Sequence, residues 1–449
     1  MTEAKDIDNS LEYLRYFEKY TENPDLAELV RQKLSMDKSQ LDLRNCVLKE
    51  DEFKLLAEMQ PLGKLKSLIL NQTKLTSAGL KHICFSPIIR QLETLHLANN
   101  NLDDEGIFYL TKSPLFTQLQ DLNLTGNEIG ALGAKVFFPA ENLPKLQILD
   151  LSYNRIEAFG IKALGKAGVA KELKILNLRD TCLADDGLVY LAKNAQLDQL
   201  EELDLSDNAI GSKGMQALST QSPFPNLKRL VLNNNHLGDD GIYALAESPG
   251  FANLEELLLG NNGLTTDSTI FLAESKHICG LKVFDLNNND IRAEGTEALA
   301  GSTNMRNMER LDLGENKLNM EGAKALADSP HFANLTSLRL NNNSISDKGA
   351  MALAKSKTLT KLKHLSLENE NWIHDEGVGA IAASKNLGSL ITLVLTLNVI
   401  SDAGAKLLAN STTLCNLEEL NVAGNKLSPA GDDALIKSTV LKLKKLEIV

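Results

Sequence analysis

The chain has 449 residues, a formal net charge of −12 at pH 7, and 43% hydrophobic but only 5% aromatic residues. This excess of carboxylates disfavours nucleic acid and anionic membrane surfaces as partners, because both attract Lys and Arg. A core so poor in aromatic residues must consist of Leu, Ile, Val and Ala, and such uniformity is typical of a repeated structural element.

The sequence favours a cytoplasmic location. Residues 1–10 contain no apolar run of the kind found in a secretory signal, and no segment approaches the 18 or so continuous apolar residues of a membrane span. The cysteines are scattered, odd in number and without a CxxC pair, as expected of reduced thiols: Cys46, Cys84, Cys182, Cys279 and Cys415.

Residues 1–38 precede the repeats and are predicted to form a helical N-terminal cap. The spacing of Leu11, Leu14 and Phe17 predicts a first helical segment, and a second is predicted from Pro24 to Leu34. The alternative interpretation of this region is a separate docking or targeting segment.

Residues 39–449 repeat the phrase LxxLxLxxNxL with a period of 27 residues. One step of 28 and a final step of 26 are the exceptions. The central positions of the phrase are Leu41, Leu68, Leu95, Leu122, Leu149, Leu176, Leu203, Leu230, Leu257, Phe284, Leu311, Leu338, Leu365, Leu393, Leu420 and Leu446. This regularity predicts a solenoid domain of about 15–16 repeats.

Each repeat contains the signals of one strand and one helix. The LxL alternation predicts a short strand whose intervening side chain points outward, and the following Asn can satisfy backbone groups where the strand ends. A Gly eleven residues beyond the central Leu precedes Ala- and Leu-rich helical phrases, as at Gly322, and Ser-Pro pairs such as Ser113-Pro114 predict helix ends. Because each strand is followed by a helix in the same order, the repeats predict a parallel sheet with the helices along one side. The sheet is expected to curve into a horseshoe.

The phrase LEELDLSDNAIGSKGMQAL at Leu200–Leu218 resembles the ribonuclease-inhibitor-like class of leucine-rich repeats. This resemblance covers residues 39–449 and implies an α/β solenoid with a parallel sheet on the concave face and helices on the convex face. The uniform period and the few cysteines depart from the ribonuclease inhibitor, so ribonuclease binding is not implied. Similar repeats occur in GTPase activators of the Ran type, innate-immune receptors and bacterial effectors.

Two regions depart from the regular repeat. The single extra residue falls within residues 368–373, beside Trp372, which is the only tryptophan in the chain. An insertion of this kind maps to a loop at one rim, where an exposed tryptophan is a candidate binding hot spot. The last strand, residues 443–449, has Lys442, Lys444 and Lys445 beside it, which discourage edge-to-edge pairing and favour a monomer.

The sequence predicts no catalytic residue, no metal site and no cofactor. Its seven histidines form no HExxH pair, and no GxxxxGK[ST] phosphate loop is present. Two functional alternatives to a plain interaction module remain open. One is a GTPase-activating protein of the Ran type, and the other is a secreted bacterial effector that binds a protein in the host cytosol.

The outward-pointing strand positions predict where a partner binds. They include a run of carboxylates and one apolar pair, Val231 and Leu258, on adjacent strands. An apolar centre with a charged rim is typical of an interface, and the carboxylates favour a protein partner with a basic surface. The predicted partner-binding residues on the concave face and its rim are Asp150, Asp204, Val231, Leu258, Asp285, Asp312 and Trp372.

Overall fold

The computed structural model describes residues 23–164, 168–194, 197–221 and 224–448. The chain divides into two compact units: unit 1 comprises residues 1–209 and 223–226, and unit 2 comprises residues 210–222 and 227–449. The helical segment predicted around Leu11, Leu14 and Phe17 lies outside the described residues. Among the described residues, no helix combines the length and apolar character that crossing a membrane requires.

The described part of unit 1 alternates strands and helices in chain order, and its strands pair in parallel with their sequence neighbours. The strands are β1 (Gln40–Asp42), β2 (Ser67–Ile69), β3 (Thr94–His96), β4 (Asp121–Asn123), β5 (Ile148–Asp150), β6 (Ile175–Asn177) and β7 (Glu202–Asp204). The α-helices are α1 (Pro24–Lys33), α2 (Glu50–Glu58), α3 (Ser77–Cys84), α4 (Asp104–Lys112), α5 (Ala131–Phe137), α6 (Glu157–Ile161) and α7 (Ala184–Asn194).

Unit 2 has the same alternation, and its strands also pair in parallel with their sequence neighbours. Its strands are β8 (Arg229–Val231), β9 (Glu256–Leu258), β10 (Val283–Asp285), β11 (Arg310–Asp312), β12 (Ser337–Arg339), β13 (His364–Ser366), β14 (Thr392–Val394), β15 (Glu419–Asn421) and β16 (Lys445–Glu447). Its helices are α8 (Ser212–Gln221), α9 (Gly238–Ala246), α10 (Thr266–Glu274), α11 (Arg292–Gly301), α12 (Asn319–Asp328), α13 (Ser346–Lys355), α14 (Asp375–Ala382), α15 (Asp402–Ala409) and α16 (Pro429–Ile436).

The middle residue of every strand is the central residue that the 27-residue period predicts. These residues are buried in β1 to β15, and Leu446 in β16 is half-buried. The core of each unit is therefore formed by these central residues together with the buried residues of the helices. The predicted α/β solenoid with a parallel sheet is confirmed.

The Asn of the repeat joins successive repeats through backbone hydrogen bonds, as its position predicts. The buried Asn316 donates from Nδ2 to the carbonyl oxygens of Leu286 and Gly314, both at 2.8 Å. Its Oδ1 accepts from the amide of Ile291 at 3.2 Å, and its own amide donates to Oδ1 of Asn343 at 2.9 Å. A ladder of such amides satisfies backbone groups that the short strands leave unpaired.

The extra residue of the irregular repeat is absorbed just before this ladder. The buried Asn371, which the sequence analysis did not assign, takes the ladder position: its Nδ2 donates to the Leu340 carbonyl at 2.8 Å, and its Oδ1 accepts from the Asn343 amide at 3.0 Å. Asn369 and Glu370 have left-handed backbone conformations, with φ of 55° and 43°. The insertion therefore changes the loop and leaves the ladder intact.

The helices begin two or three residues before the Gly that was expected to precede them. In α4, the Asp103 side chain caps the helix by accepting from the amides of Glu105 and Gly106, so the first turn already includes the glycine. A Cβ atom on Gly106 would lie 2.6 Å from Oγ of Ser77 on α3. Glycine is needed here because adjacent helices approach closely, rather than to start the helix.

The serines at helix ends form a second ladder. The Ser-Pro pairs do follow helix ends, as predicted, but the hydroxyl also reaches the preceding helix: Ser329 Oγ donates to the Ala300 carbonyl at 2.6 Å. Equivalent bonds to the preceding repeat are made by Ser86, Ser113, Ser248, Ser275, Ser302, Ser356, Ser384, Ser411 and Ser438. These bonds satisfy carbonyls at the C-termini of the helices.

Candidate partner-binding face

The sheet face of unit 2 is formed by the first and third residues of β8 to β12, which flank the buried central residues. Its third positions lie side by side in register: Val231 is opposite Leu258, Leu258 opposite Asp285, and Asp285 opposite Asp312. Four of the predicted binding residues are therefore neighbours on consecutive strands, at a spacing of about 4.8 Å.

The two members of the apolar pair differ in their access to solvent. Val231 is only 4% exposed, although its position was expected to point outward into solvent, whereas Leu258 is half-buried and accessible. The side chain of Val231 is short and has Leu258 next to it on the adjacent strand, so neighbours cover most of it. Of this pair, Leu258 is the member that a partner can reach.

Two arginines that were not among the predicted binding residues lie among the carboxylates. Arg229 Nε is 3.0 Å from Oε2 of Glu256, and Arg310 Nη2 is 3.6 Å from Oε1 of the same carboxylate. Both arginines occupy the first position of their strand, and both point to the face that Leu258 shares. The apolar centre is therefore bordered by charges of both signs.

The carboxyl group of Asp312 has an unusual environment. Burial raises its pKa from 3.8 to about 6, and the nearby charges of Asp285 and Glu315 act in the same direction. The Gly314 amide, which donates to Oδ1 at 3.0 Å, and the Arg339 guanidinium, whose Nε lies 3.3 Å from Oδ2, oppose this shift. Burial thus brings the pKa of Asp312 closer to neutral pH than the ordinary value of an aspartate.

These side chains line a depression of about 370 Å³ on the sheet face. Its lining residues are Arg229, Glu256, Leu258, Val283, Phe284, Asp285, Arg310, Leu311, Asp312, Ser337 and Arg339. A volume of this size accommodates one or two protruding side chains, and its walls offer apolar contacts at the half-buried Leu258 and Val283 and several ionic contacts. Within the described chain, no group of three or more His, Cys, Asp or Glu residues is arranged to hold a metal ion.

The predicted carboxylates of unit 1 lie on its own sheet face, where neighbouring side chains donate hydrogen bonds to them. Asp150 accepts from the Ser152 hydroxyl at 2.6 Å and from Asn177 Nδ2 at 3.1 Å. Asp204 accepts from the hydroxyl of Ser206 at 2.7 Å. Both side chains therefore have local hydrogen-bonding partners, and each carries its charge on the strand position that the alternation predicts.

Trp372 lies on the loop after β13, away from the strand positions of the sheet face. Its side chain is 55% exposed, and its backbone has the left-handed φ of 55°, a conformation that bulky side chains rarely adopt. In the next repeat, Leu397 is similarly exposed and has φ of 52°. The inserted repeat thus presents an exposed aromatic group at the loop, as the sequence predicted.

A larger depression that the sequence analysis missed lies among the loops after β4, β5 and β6 of unit 1. It has a volume of about 780 Å³ and is lined by Asn127, Glu128, Tyr153, Asn154, Arg155, Asp180 and Cys182. Tyr153 has φ of 56°, and the Arg179 guanidinium lies 5.6 Å from the centre of its ring. A left-handed Tyr in a position usually filled by Asn, Asp or Gly is the signal that could have found it.

The sequence profile described as "Leucine Rich repeat" matches twelve segments of the chain: residues 90–110, 117–138, 142–165, 172–192, 200–219, 225–246, 278–300, 304–327, 333–354, 358–382, 389–409 and 413–435. The chain belongs to the leucine-rich-repeat family. Leucine-rich-repeat proteins generally mediate protein–protein interaction, and their repeat fold is typically non-catalytic.

Two solved structures resemble this leucine-rich-repeat chain at low sequence identity. An internalin (inlF) from Listeria monocytogenes strain 4b F2365 is 19% identical, with a TM-score of 0.46, over 96% of this chain and 97% of the internalin. TLR13, in its complex with ssRNA13, is 18% identical, with a TM-score of 0.47, over 91% of this chain and 61% of TLR13. No curated protein matches the chain.

Proposed function

We propose that this leucine-rich-repeat protein is a non-catalytic interaction module that binds a partner protein on the concave, sheet side of unit 2. The observation that carries the proposal is the position of Leu258, which lies accessible in a depression bordered by Arg229, Glu256, Arg310 and Asp312. An apolar anchor surrounded by charged groups is the usual organisation of a protein interface.

The partner presents a basic side chain next to an apolar one. Asp285 and Asp312 lie on adjacent strands, and their combined charge attracts a Lys or Arg of the partner. Asp150 and Asp204 add negative potential on the sheet face of unit 1, which increases the rate of association with a basic protein at low salt. The arginines of the depression then favour partners whose basic group is accompanied by a carboxylate.

The test is partner capture from a lysate of the source organism with wild-type protein and two matched variants. Leu258→Glu places a charge in the depression, and Leu407→Glu makes the same change at an exposed leucine of α15. We expect Leu258→Glu to lose the captured partner and Leu407→Glu to retain it, with equal thermal unfolding temperatures showing that both variants fold.

Equal recovery of the same partner by wild type and Leu258→Glu would refute the proposed site. In that case, Trp372→Ala becomes the informative variant, because Trp372 is the exposed aromatic residue beside the insertion, outside the sheet face. Stimulated GTP hydrolysis by a panel of small GTPases would refute the non-catalytic assignment and identify an activator of the Ran type. A partner captured only from the lysate of a host would identify a secreted effector.

We further infer a ribonuclease-inhibitor-like repeat domain over residues 39–449 and a cap over residues 1–38. The repeat of 27 residues with a helix in each supports the first. The cap is supported by α1, whose Leu26 and Val30 are buried, and by the antiparallel bridge from Leu34 to Leu41. The lysine-flanked β16 supports a monomer, and the scattered, unpaired cysteines support a cytoplasmic location.

A further inference from the structure

The outer helix face of unit 1 is unusually apolar for an exposed surface. Neighbouring helices α3 to α7 pack side by side, and several of their large apolar side chains are exposed to solvent. Leu132 on α5 is 63% exposed, and Phe108 on α4, Val136 on α5 and Phe159 on α6 are each exposed by more than two fifths. Contiguous exposed apolar groups of this kind mark interaction surfaces in soluble proteins.

Lysines lie over the aromatic rings of this face. The distances from Nζ to the ring centre are 5.1 Å for Lys81 and Tyr109, 5.7 Å for Lys112 and Phe108, 4.9 Å for Lys135 and Phe159, and 5.1 Å for Lys162 and Tyr190. We call these four pairs the lysine–aromatic stripe. A cation held above a ring gains about 0.5 to 1 kcal/mol at an exposed site, so each ring holds its ammonium group in a defined place.

The ammonium groups of the stripe are not neutralised by the protein itself. None of the four lies within 4.0 Å of a described carboxylate. The carboxylate of Glu105, which is close in sequence to Phe108 and Tyr109, instead accepts a hydrogen bond from the Tyr109 hydroxyl. The stripe therefore places four ammonium groups without an ion-pair partner among the described residues on the surface of a protein whose net charge is −12.

The helices of unit 2 lack this arrangement at the same repeat positions. Lys324 on α12 and Lys406 on α15 correspond in the 27-residue period to Lys135 and Lys162, and all four side chains are exposed. In the described part of unit 2, no lysine lies over an aromatic ring, and its exposed ring contact is the pair Tyr243 and Phe271. The repeat fold does not require the stripe.

We propose that the lysine–aromatic stripe of unit 1 is a second docking surface, which binds an acidic protein segment carrying apolar side chains. The four unpaired ammonium groups complement carboxylates, and the exposed Leu132 and Val136 between them contact apolar anchors. Phosphate groups of a nucleic acid make no use of these apolar side chains. A lipid bilayer is disfavoured because the lysines cover the rings that would have to enter it.

The test uses fluorescence anisotropy with a fluorescein-labelled peptide of Glu-Glu-Leu repeats and a control peptide with Gln in place of Glu. Lys135→Glu combined with Lys162→Glu reverses two charges of the stripe, and Lys324→Glu combined with Lys406→Glu makes the same change in net charge on unit 2. We expect the first double variant to bind the acidic peptide about tenfold more weakly than wild type and the second to bind it within about twofold. Circular dichroism melting verifies that both fold.

Three outcomes would overturn the proposal. The first is wild-type protein that does not bind the acidic peptide or binds the Gln peptide equally well. The second is an equal loss of affinity in both double variants, which would mean that net charge alone governs binding. The third is binding of wild type to phosphatidylserine–phosphatidylcholine vesicles, lost in the stripe variant, without binding to the peptide, because this would identify a membrane surface as the ligand. Retained capture of the sheet-face partner by the stripe variant separates this surface from the proposed site at Leu258.

Discussion

The interior of unit 2 and its sheet face are built from alternate residues of the same strands. Leu257 and Leu258 are adjacent in β9, yet Leu257 is fully buried among neighbouring repeats, whereas Leu258 is accessible on the sheet face. The interior repeats Leu from strand to strand except at Phe284, and the sheet face varies between charged and apolar groups. Because side chains alternate along a strand, the central residue of each three-residue strand stabilises the fold, and its two neighbours are available for recognition.

The largest effect on stability is expected at the interior position. Leu257→Ala leaves a cavity between neighbouring repeats and should lower the free energy of unfolding by about 2 to 5 kcal/mol. Reversible urea denaturation measures this loss, and its cooperativity shows whether repeats unfold in blocks. A loss below about 1 kcal/mol would mean that Leu257 is not a core residue.

The next effect is expected in the Asn ladder. Asn316→Ala removes two donated bonds and one accepted bond at a fully buried position, which leaves backbone groups of Leu286 and Ile291 without this partner. We expect a loss of about 2 to 3 kcal/mol in the free energy of unfolding. Asn307→Ala, at an exposed residue shortly before β11, is the control and should change stability by less than about 0.5 kcal/mol.

Asp312 combines features of the two regions, because it is a charged residue of the sheet face in a largely buried environment. Its folded pKa is raised to about 6, so the folded state binds the proton more tightly than the unfolded state, and stability falls as pH rises from about 4 to about 6. Asp312→Asn removes this loss. Two pKa units correspond to about 3 kcal/mol, and partial exposure reduces the expected gain at pH 7 to about 1 to 2 kcal/mol.

Urea denaturation of both proteins at pH 3.5, 5 and 7 measures this prediction. The stability difference between Asp312→Asn and wild type should be near zero at the lowest pH and should grow through the window between about 4 and 6. A difference that is constant across the three pH values would show that the pKa of Asp312 is not raised.

The smallest effect on stability is expected at Leu258. Leu258→Ala removes an accessible side chain without opening a cavity and should change the free energy of unfolding by less than about 1 kcal/mol, while partner capture declines. Calorimetry of Leu257→Ala and Leu258→Ala side by side provides the comparison in one experiment. Equal destabilisation by the two variants would contradict the division between interior and sheet face.

The sequence was sufficient to predict the fold because the period places one apolar residue at the centre of every strand. It predicted the role of the repeat Asn, because a side-chain amide at the end of each strand can bond to the backbone groups that the strand leaves unpaired. It did not identify Asn371, because the extra residue shifts the ladder position by one and periodicity alone does not say where a loop absorbs an insertion. The serine ladder was also missed, because Pro accounted for the helix ends without it.

The candidate site was predictable only in part. Alternation placed Val231 and Leu258 side by side, but the coverage of Val231 depends on the sizes of side chains across the strands. The negative net charge directed attention to the carboxylates. Arg229 and Arg310 were therefore not predicted, although each is the first residue of its strand and lies on the same face. The raised pKa of Asp312 arises first from burial, which a linear sequence does not display, and then from the charges of Asp285 in the preceding repeat and Glu315 in its own repeat.

Trp372 gives unit 2 a built-in optical reporter. It is the only tryptophan of the chain, so fluorescence excited at a wavelength that only tryptophan absorbs comes from a single repeat. Because the ring is largely exposed beside the insertion, its emission maximum already lies toward that of indole in water, and global unfolding should shift it little. A partner that covers this loop should instead move the emission to shorter wavelength, so an unlabelled titration distinguishes contact at the insertion from contact elsewhere.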